Sequence, residues 1–98
     1  MEKSELLVDV RDYDVESLTD FRTALVAVNH EALHHWQGRS LDALWDIIEN
    51  RGFSDLLDSH DILAVRARRS AFLSDGHPVG RVLLKLFADA THARLELS

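Results

Sequence analysis

Two histidines and a glutamate at helical spacing are the most explicit candidate for metal chemistry in the chain. The H-E-x-x-H pattern of zinc hydrolases is matched by His30-Glu31-Ala32-Leu33-His34, where the histidines would bind the metal and the glutamate would act as general base. His35 adds a nitrogen, and Glu49 is a conceivable third ligand. No later pattern supplies that ligand convincingly, and a catalytic zinc needs three protein ligands. We therefore keep a zinc hydrolase as the less favoured hypothesis, beside a polar histidine-rich turn.

Three carboxylates form a second candidate site. Asp42, Asp46 and Glu49 fall at i, i+4 and i+7, which places them on one face of a predicted helix. Like charges four residues apart destabilise a helix by about 0.2–0.5 kcal/mol, although the helix dipole favours Asp42 in the first turn. The face is either a solvated acidic surface or a surface that binds cations.

The composition is that of one small globular domain spanning residues 1–98. The 98 residues are 46% hydrophobic and 29% charged, which excludes disorder and fibrous repeats. A formal net charge of −6 disfavours direct binding to nucleic acid and suits a cationic partner. Since the sequence has no cysteine, it excludes disulfide scaffolds, thiolate zinc sites and cysteine nucleophiles.

The N-terminal sequence and the hydropathy predict a cytoplasmic location. The first residues, M-E-K-S-E, lack the basic and then apolar pattern of a signal peptide. The apolar runs are far shorter than the roughly 20 residues of a membrane span, so no membrane partner is expected. A chain of this length leaves little material for a substrate cleft. These features favour a binding protein that uses no cofactor over an enzyme.

Apolar periodicity predicts the elements that position these residues. Strands are expected at residues 5–10, 61–65 and 94–98. Helices are expected at residues 17–28, with Ser17 as the cap, and at residues 29–36. A third helix is expected from an N-cap at Ser40 to a stop at Gly52, a helical turn at residues 68–73, and a last helix from Pro78 onwards. Helical crossovers of this length favour parallel pairing of strands. The order therefore predicts an α/β fold with a three-stranded parallel sheet and about four helices.

The third predicted helix carries the sequence's most specific motif. It resembles the signature of the barstar family and consists of Leu41-Asp42-Ala43-Leu44-Trp45-Asp46. Members of that family are intracellular inhibitors of a secreted bacterial ribonuclease. Trp36 and Gly38 stand where the family has a contacting aromatic residue and a loop glycine. The chain length, the order of elements and the last residues, L-E-L-S, also fit. The resemblance covers nearly the whole chain, and its specific part is residues 36–46.

The resemblance implies a protein plug for the cationic active site of a barnase-like ribonuclease. In that role Asp46 would replace a substrate phosphate and pair with Arg and His⁺ groups, with Asp42 as a second acid. Gly38 and Ser40 would offer backbone or hydroxyl contacts, and Trp36 a flat aromatic contact. The predicted partner-binding residues are Trp36, Gly38, Ser40, Asp42, Trp45, Asp46 and Glu49.

Departures from the family pattern leave an alternative open. Trp45 fits the core as well as an interface, and Gln37 replaces the family's second loop tyrosine. Arg81 stands where the family's last helix contributes an acid, and a cation there would slow association with a cationic enzyme. The basic run at residues 66–69 has no counterpart. In the alternative, the same fold is an acidic interaction module for another cationic protein, without ribonuclease inhibition. Under either hypothesis the protein alone is expected to be a monomer.

Overall fold

Three strands and five helices make up the computed structural model, which describes residues 3–98. The strands are β1 (Glu5–Asp9), β2 (Ile62–Ala67) and β3 (Ala93–Leu97), and the helices are α1 (Leu18–Val28), α2 (His30–Leu33), α3 (Leu41–Trp45), α4 (Asp55–Asp58) and α5 (Pro78–Asp89). A 3₁₀ turn, His34–Trp36, follows α2, and a π-helical turn, Asp46–Asn50, continues α3. No helix in this part of the chain is long and apolar enough to cross a membrane.

The sheet is entirely parallel, with the strands in the order β1-β2-β3. In the register, Val8 lies opposite Val65, and Val65 lies opposite Leu95. Helical crossovers connect the strands, as parallel pairing requires. The predicted α/β fold with three parallel strands is therefore confirmed.

Two local predictions differ from the structure. Helix α4 was not expected; it begins because the hydroxyl of Ser54 accepts a hydrogen bond from the Leu57 amide at 3.3 Å. The helical turn expected at residues 68–73 is wrong, since that segment is irregular. There the Ser70 hydroxyl donates to the Val15 carbonyl at 2.8 Å and accepts from the Leu73 amide at 3.1 Å. These bonds tie the segment to the chain before α1.

One face of the sheet packs with the helices into a single apolar core. The strands contribute alternate residues such as Val8, Leu63 and Val65, all completely buried. The buried side of α3 and its π-helical continuation joins the same cluster through Leu44, Ile47 and Ile48. Because that side is buried in the core, the remaining side of the helix faces solvent.

The other face of the sheet carries charged side chains that pair with one another. Glu96 lies 3.5 Å from both Arg66 and Arg94, and Arg94 also pairs with Glu5. Beyond this face, Arg68 pairs with Asp14 at 2.8 Å. Much of the basic run at residues 66–69 is therefore engaged by acids of its own chain.

Candidate partner-binding site

Trp36 lies in the core beneath the predicted binding loop. Its side chain is 0% exposed and packs edge-on against Phe21, with the ring centroids 6.2 Å apart. Its indole Nε1–H donates to the Ser40 carbonyl at 2.7 Å. The expectation that Trp36 offers a flat aromatic contact to a partner does not fit this burial. Trp36 holds the loop from below instead.

The loop at residues 37–40 is held by two side-chain donors. Besides Trp36, Arg22 donates from Nη1 to the Arg39 carbonyl at 2.6 Å, and its guanidinium lies 5.7 Å from the centre of the Trp36 ring. Gly38 has φ of 72°, in the left-handed region that favours glycine. Two successive carbonyls are thereby fixed, and the loop has one defined path into α3.

Ser40 occupies the predicted N-cap position of α3. Its carbonyl accepts the first helical bond from the Leu44 amide at 3.3 Å, but its hydroxyl makes no capping bond. The residue is exposed, so the hydroxyl is accessible from outside. Ser40 therefore starts the helix through its backbone and leaves its side chain at the surface.

Asp42 and Asp46 are exposed one helical turn apart on α3 and its continuation. Asp46 accepts one side-chain hydrogen bond at 2.8 Å, from the Asn50 amide. The opposite side of the helix is buried through Leu44 and Ile48. Two carboxylates are therefore presented to solvent on a helix that is fixed in the core.

Glu49 does not share this free surface. Its carboxylate accepts hydrogen bonds from the backbone amides of Thr91 and His92, each at 2.9 Å, and from the Thr91 hydroxyl. Burial raises the pKa of Glu49, but these hydrogen bonds outweigh it, and the pKa lies below its ordinary value of 4.5. The expected row of three surface acids is thus reduced to two, because Glu49 is bound to Thr91 and His92 just before β3.

Arg51 fixes the end of the same helical segment. The helix ends at Asn50, Arg51 follows with a left-handed φ of 68°, and Gly52, the predicted stop, comes next with φ of 96°. Its guanidinium donates to the backbone carbonyls of Ile48 at 2.7 Å, Leu57 at 2.6 Å, His60 at 2.8 Å and His92 at 2.9 Å. Burial lowers the pKa of Arg51. No simple sequence signal predicts these partners, which lie up to 41 residues away.

The histidines do not form the arrangement expected of a zinc hydrolase. The rings of His30 and His34 stack with centroids 4.9 Å apart and planes 10° apart, and His35 lies 3.9 Å beyond His34. The Nδ1–H of His34 donates to the His30 carbonyl at 2.9 Å. Within residues 3–98 no group of three or more His, Cys, Asp or Glu side chains could hold a metal ion. Because the His30 and His34 rings are nearly parallel, their nitrogen lone pairs do not converge on one point, as those of metal ligands must.

The remaining predicted residues differ in burial. Trp45 is half-buried and lines the groove between α3 and α5. Gln37 is exposed in the loop, and Arg81 is exposed on α5. On the loop's other flank, Arg39 places its guanidinium 5.7 Å from the centre of the Phe53 ring. The surroundings of the two acids are therefore mixed in charge and partly apolar.

Fold and site together define a small α/β protein with a three-stranded parallel sheet and an exposed acidic helix that follows a fixed loop. Comparison of the chain with protein-family models, with curated proteins and with solved structures finds no match.

Proposed function

We propose that this protein is an intracellular inhibitor of a cationic, barnase-like ribonuclease, which it blocks through the loop at residues 37–40 and helix α3. One observation carries the proposal. Asp42 and Asp46 are exposed one turn apart on a helix that begins where Arg22 and Trp36 fix the loop backbone. The resemblance of residues 36–46 to the barstar signature supports the same role.

The chemistry of the two carboxylates suits an active site that normally holds phosphate. A carboxylate accepts charge-assisted hydrogen bonds from Arg and His⁺ groups, as a phosphate oxygen does. Because the loop and helix are already ordered, binding loses little conformational entropy at this surface. A formal net charge of −6 would also attract a cationic enzyme from a distance and raise the association rate.

Replacing Asp46 tests the proposal directly. We expect Asp46→Ala to weaken binding to a barnase-like ribonuclease by at least about 2 kcal/mol, roughly 30-fold in Kd, since it leaves enzyme cations unpaired in the interface. Calorimetric Kd values and inhibition of RNA cleavage would measure the loss. Asp75→Ala is the matched control, because Asp75 is also exposed and lies in the loop before α5. Equal losses in both variants would contradict a specific role for Asp46.

Two exposed cations favour a second candidate, an acidic interaction module with a different basic partner. Arg39 in the loop and Arg81 on α5 would both meet a cationic ribonuclease unfavourably unless it carries matching acids. If the wild-type protein neither binds nor inhibits the ribonuclease, the inhibitor proposal fails. Proteins retained from native cells by the wild type, but not by Asp46→Ala, would then identify the other partner.

A further inference from the structure

We propose that the groove between α3 and α5 receives an apolar side chain of the cationic partner, beside the partner cation that pairs with Asp42. The inference rests on the proposed function and adds a specificity subsite to the acidic surface. This subsite lies on the part of α5 that the proposed contacts of Asp42 and Asp46 with the partner do not involve.

The floor of the groove is apolar and accessible. It has a volume of about 350 Å³ and is lined by Leu41 and Trp45 from the α3 side and by Val82 and Leu86 from α5. Val82 is 51% exposed, the largest exposure among the large hydrophobic side chains of residues 3–98. An exposed valine beside a half-buried tryptophan gains free energy when another apolar group covers it.

The charges at the rim indicate what kind of protein brings that apolar group. Lys85 lies 3.3 Å from Asp89 on the same helix, so these two charges neutralise each other. Asp42 lines the groove as well as the acidic surface, and within residues 3–98 it forms no ion pair. The groove therefore carries one uncompensated negative charge, which complements a Lys or Arg next to the inserted side chain.

The same features argue against other occupants. Small-molecule pockets hold several convergent polar groups that orient the ligand, whereas the polar groups here lie at the rim. A second copy of this chain would bring a formal charge of −6 against −6, and the two would repel. A side chain from a cationic protein fits both the apolar floor and the acidic rim.

Two valines on α5 allow a matched test with a barnase-like ribonuclease. Val82 lines the groove, whereas Val79 is 38% exposed on the same helix and does not line it. We expect Val82→Ser to raise Kd about 5- to 10-fold and Val79→Ser to raise it less than about 2-fold. Thermal unfolding of both variants checks that these surface changes leave the fold intact. Equal Kd values for the two variants overturn the groove as a binding site.

A peptide probe separates failure of the groove from failure of the inhibitor function. A synthetic peptide of alternating Lys and Leu is titrated into the wild type and into Val82→Ser, with a Glu and Leu peptide as charge control. We expect NMR shifts at the methyl groups of Val82 and Leu86 with the Lys peptide alone, and their loss in Val82→Ser. Shifts there without ribonuclease binding support the groove and overturn the inhibitor function. Shifts elsewhere, or no peptide binding, overturn the groove even if the ribonuclease is inhibited.

Discussion

Asp46 and Glu49 lie three residues apart on one helical segment, yet the fold uses them in opposite ways. Asp46 is exposed and accepts one side-chain hydrogen bond, from the neighbouring Asn50. Glu49 accepts hydrogen bonds from Thr91 and His92 and joins the helix to the start of β3. A cluster of acids in a sequence is therefore a candidate site only where the tertiary structure leaves the carboxylates exposed and does not bind them to distant parts of the chain.

The contrast extends to the two ends of the helical segment. At its start, Trp36 and Arg22 bind the carbonyls of Ser40 and Arg39. At its end, Arg51 binds carbonyls of four residues across the fold. Between these two anchors, Asp42 and Asp46 form no ion pair within residues 3–98, and they lie on a helix whose ends are both held. A rigid charged surface of this kind loses less entropy on binding than a mobile one.

The strongest test of the anchored end is Arg51→Ala. We expect a loss of about 3 kcal/mol or more in the free energy of unfolding, because several carbonyls lose charge-assisted hydrogen bonds. Urea unfolding followed by circular dichroism would measure it. Arg51→Gly should be less damaging by about 1–2 kcal/mol, since glycine tolerates the φ of 68° that alanine does not. A loss below 1 kcal/mol in Arg51→Ala would show that the network contributes little.

At the other anchor, Trp36→Phe removes the donor to the Ser40 carbonyl and leaves a smaller ring in the core. The expected loss is about 2 kcal/mol of unfolding free energy, from the missing hydrogen bond and the residual cavity. Trp45→Phe makes the same chemical change at a half-buried position and should cost less than half as much. The two variants are compared by urea unfolding. Equal losses of unfolding free energy in the two variants would contradict the role of Trp36 in holding the loop.

Replacing Glu49 with Gln tests whether its charge stabilises the fold, because the effect on stability should then depend on pH. At neutral pH we expect the free energy of unfolding to fall by about 1–2 kcal/mol. This is the low end of the range for charge-assisted hydrogen bonds, because the carboxylate is only partly buried. The pKa of Glu49 lies below 4.5, so its contribution is present above that pH and is lost as the pH falls towards the lowered pKa. Unfolding free energies of wild type and variant should therefore converge in acid. A pH-independent difference would argue against a role for the charge.

The smallest effect on stability is expected for Asp46→Ala. Removing this carboxylate relieves repulsion with Asp42 and gives up one exposed hydrogen bond, so the unfolding free energy should change by less than about 0.5 kcal/mol. The same urea experiment measures it beside Glu49→Gln. A loss larger than that of Glu49→Gln would contradict the assignment of Asp46 to the surface and Glu49 to the fold.

The main elements follow from local patterns in the sequence. Ser17 caps α1 as expected, with its hydroxyl 3.0 Å from the Asp20 amide, and Pro78 opens α5. Alternating and helical apolar spacing locates the strands and the longer helices, because each must bury one face. Helix α4 could not be predicted in this way, since a helix of four residues has too few apolar positions to show a period.

The site is less predictable because its geometry depends on distant partners. The sequence indicates Asp42 and Asp46, and the structure leaves both exposed. The sequence also indicates Trp36 and Glu49, but their neighbours in the fold remove both from the free surface. The Trp36 indole packs on Phe21 and binds the Ser40 carbonyl, and Thr91 and His92 bind the Glu49 carboxylate. Helical spacing assumes 3.6 residues per turn. Glu49 lies in the π-helical turn at Asp46–Asn50, where that spacing does not hold.

Hydrophobic period, capping residues and crossover length are local properties, so the parallel α/β arrangement and the acidic helix can be predicted from the chain alone. Which charges are free depends on contacts between residues that are distant in the chain. Arg51 and Glu49 are satisfied by backbone groups up to 41 and 43 residues away, and Arg66 by Glu96 on the neighbouring strand. Hydrogen bonds and ion pairs depend on positions in space, which sequence spacing does not give. Asp42 and Asp46 are binding candidates because the fold brings no cation of residues 3–98 within salt-bridge distance of either.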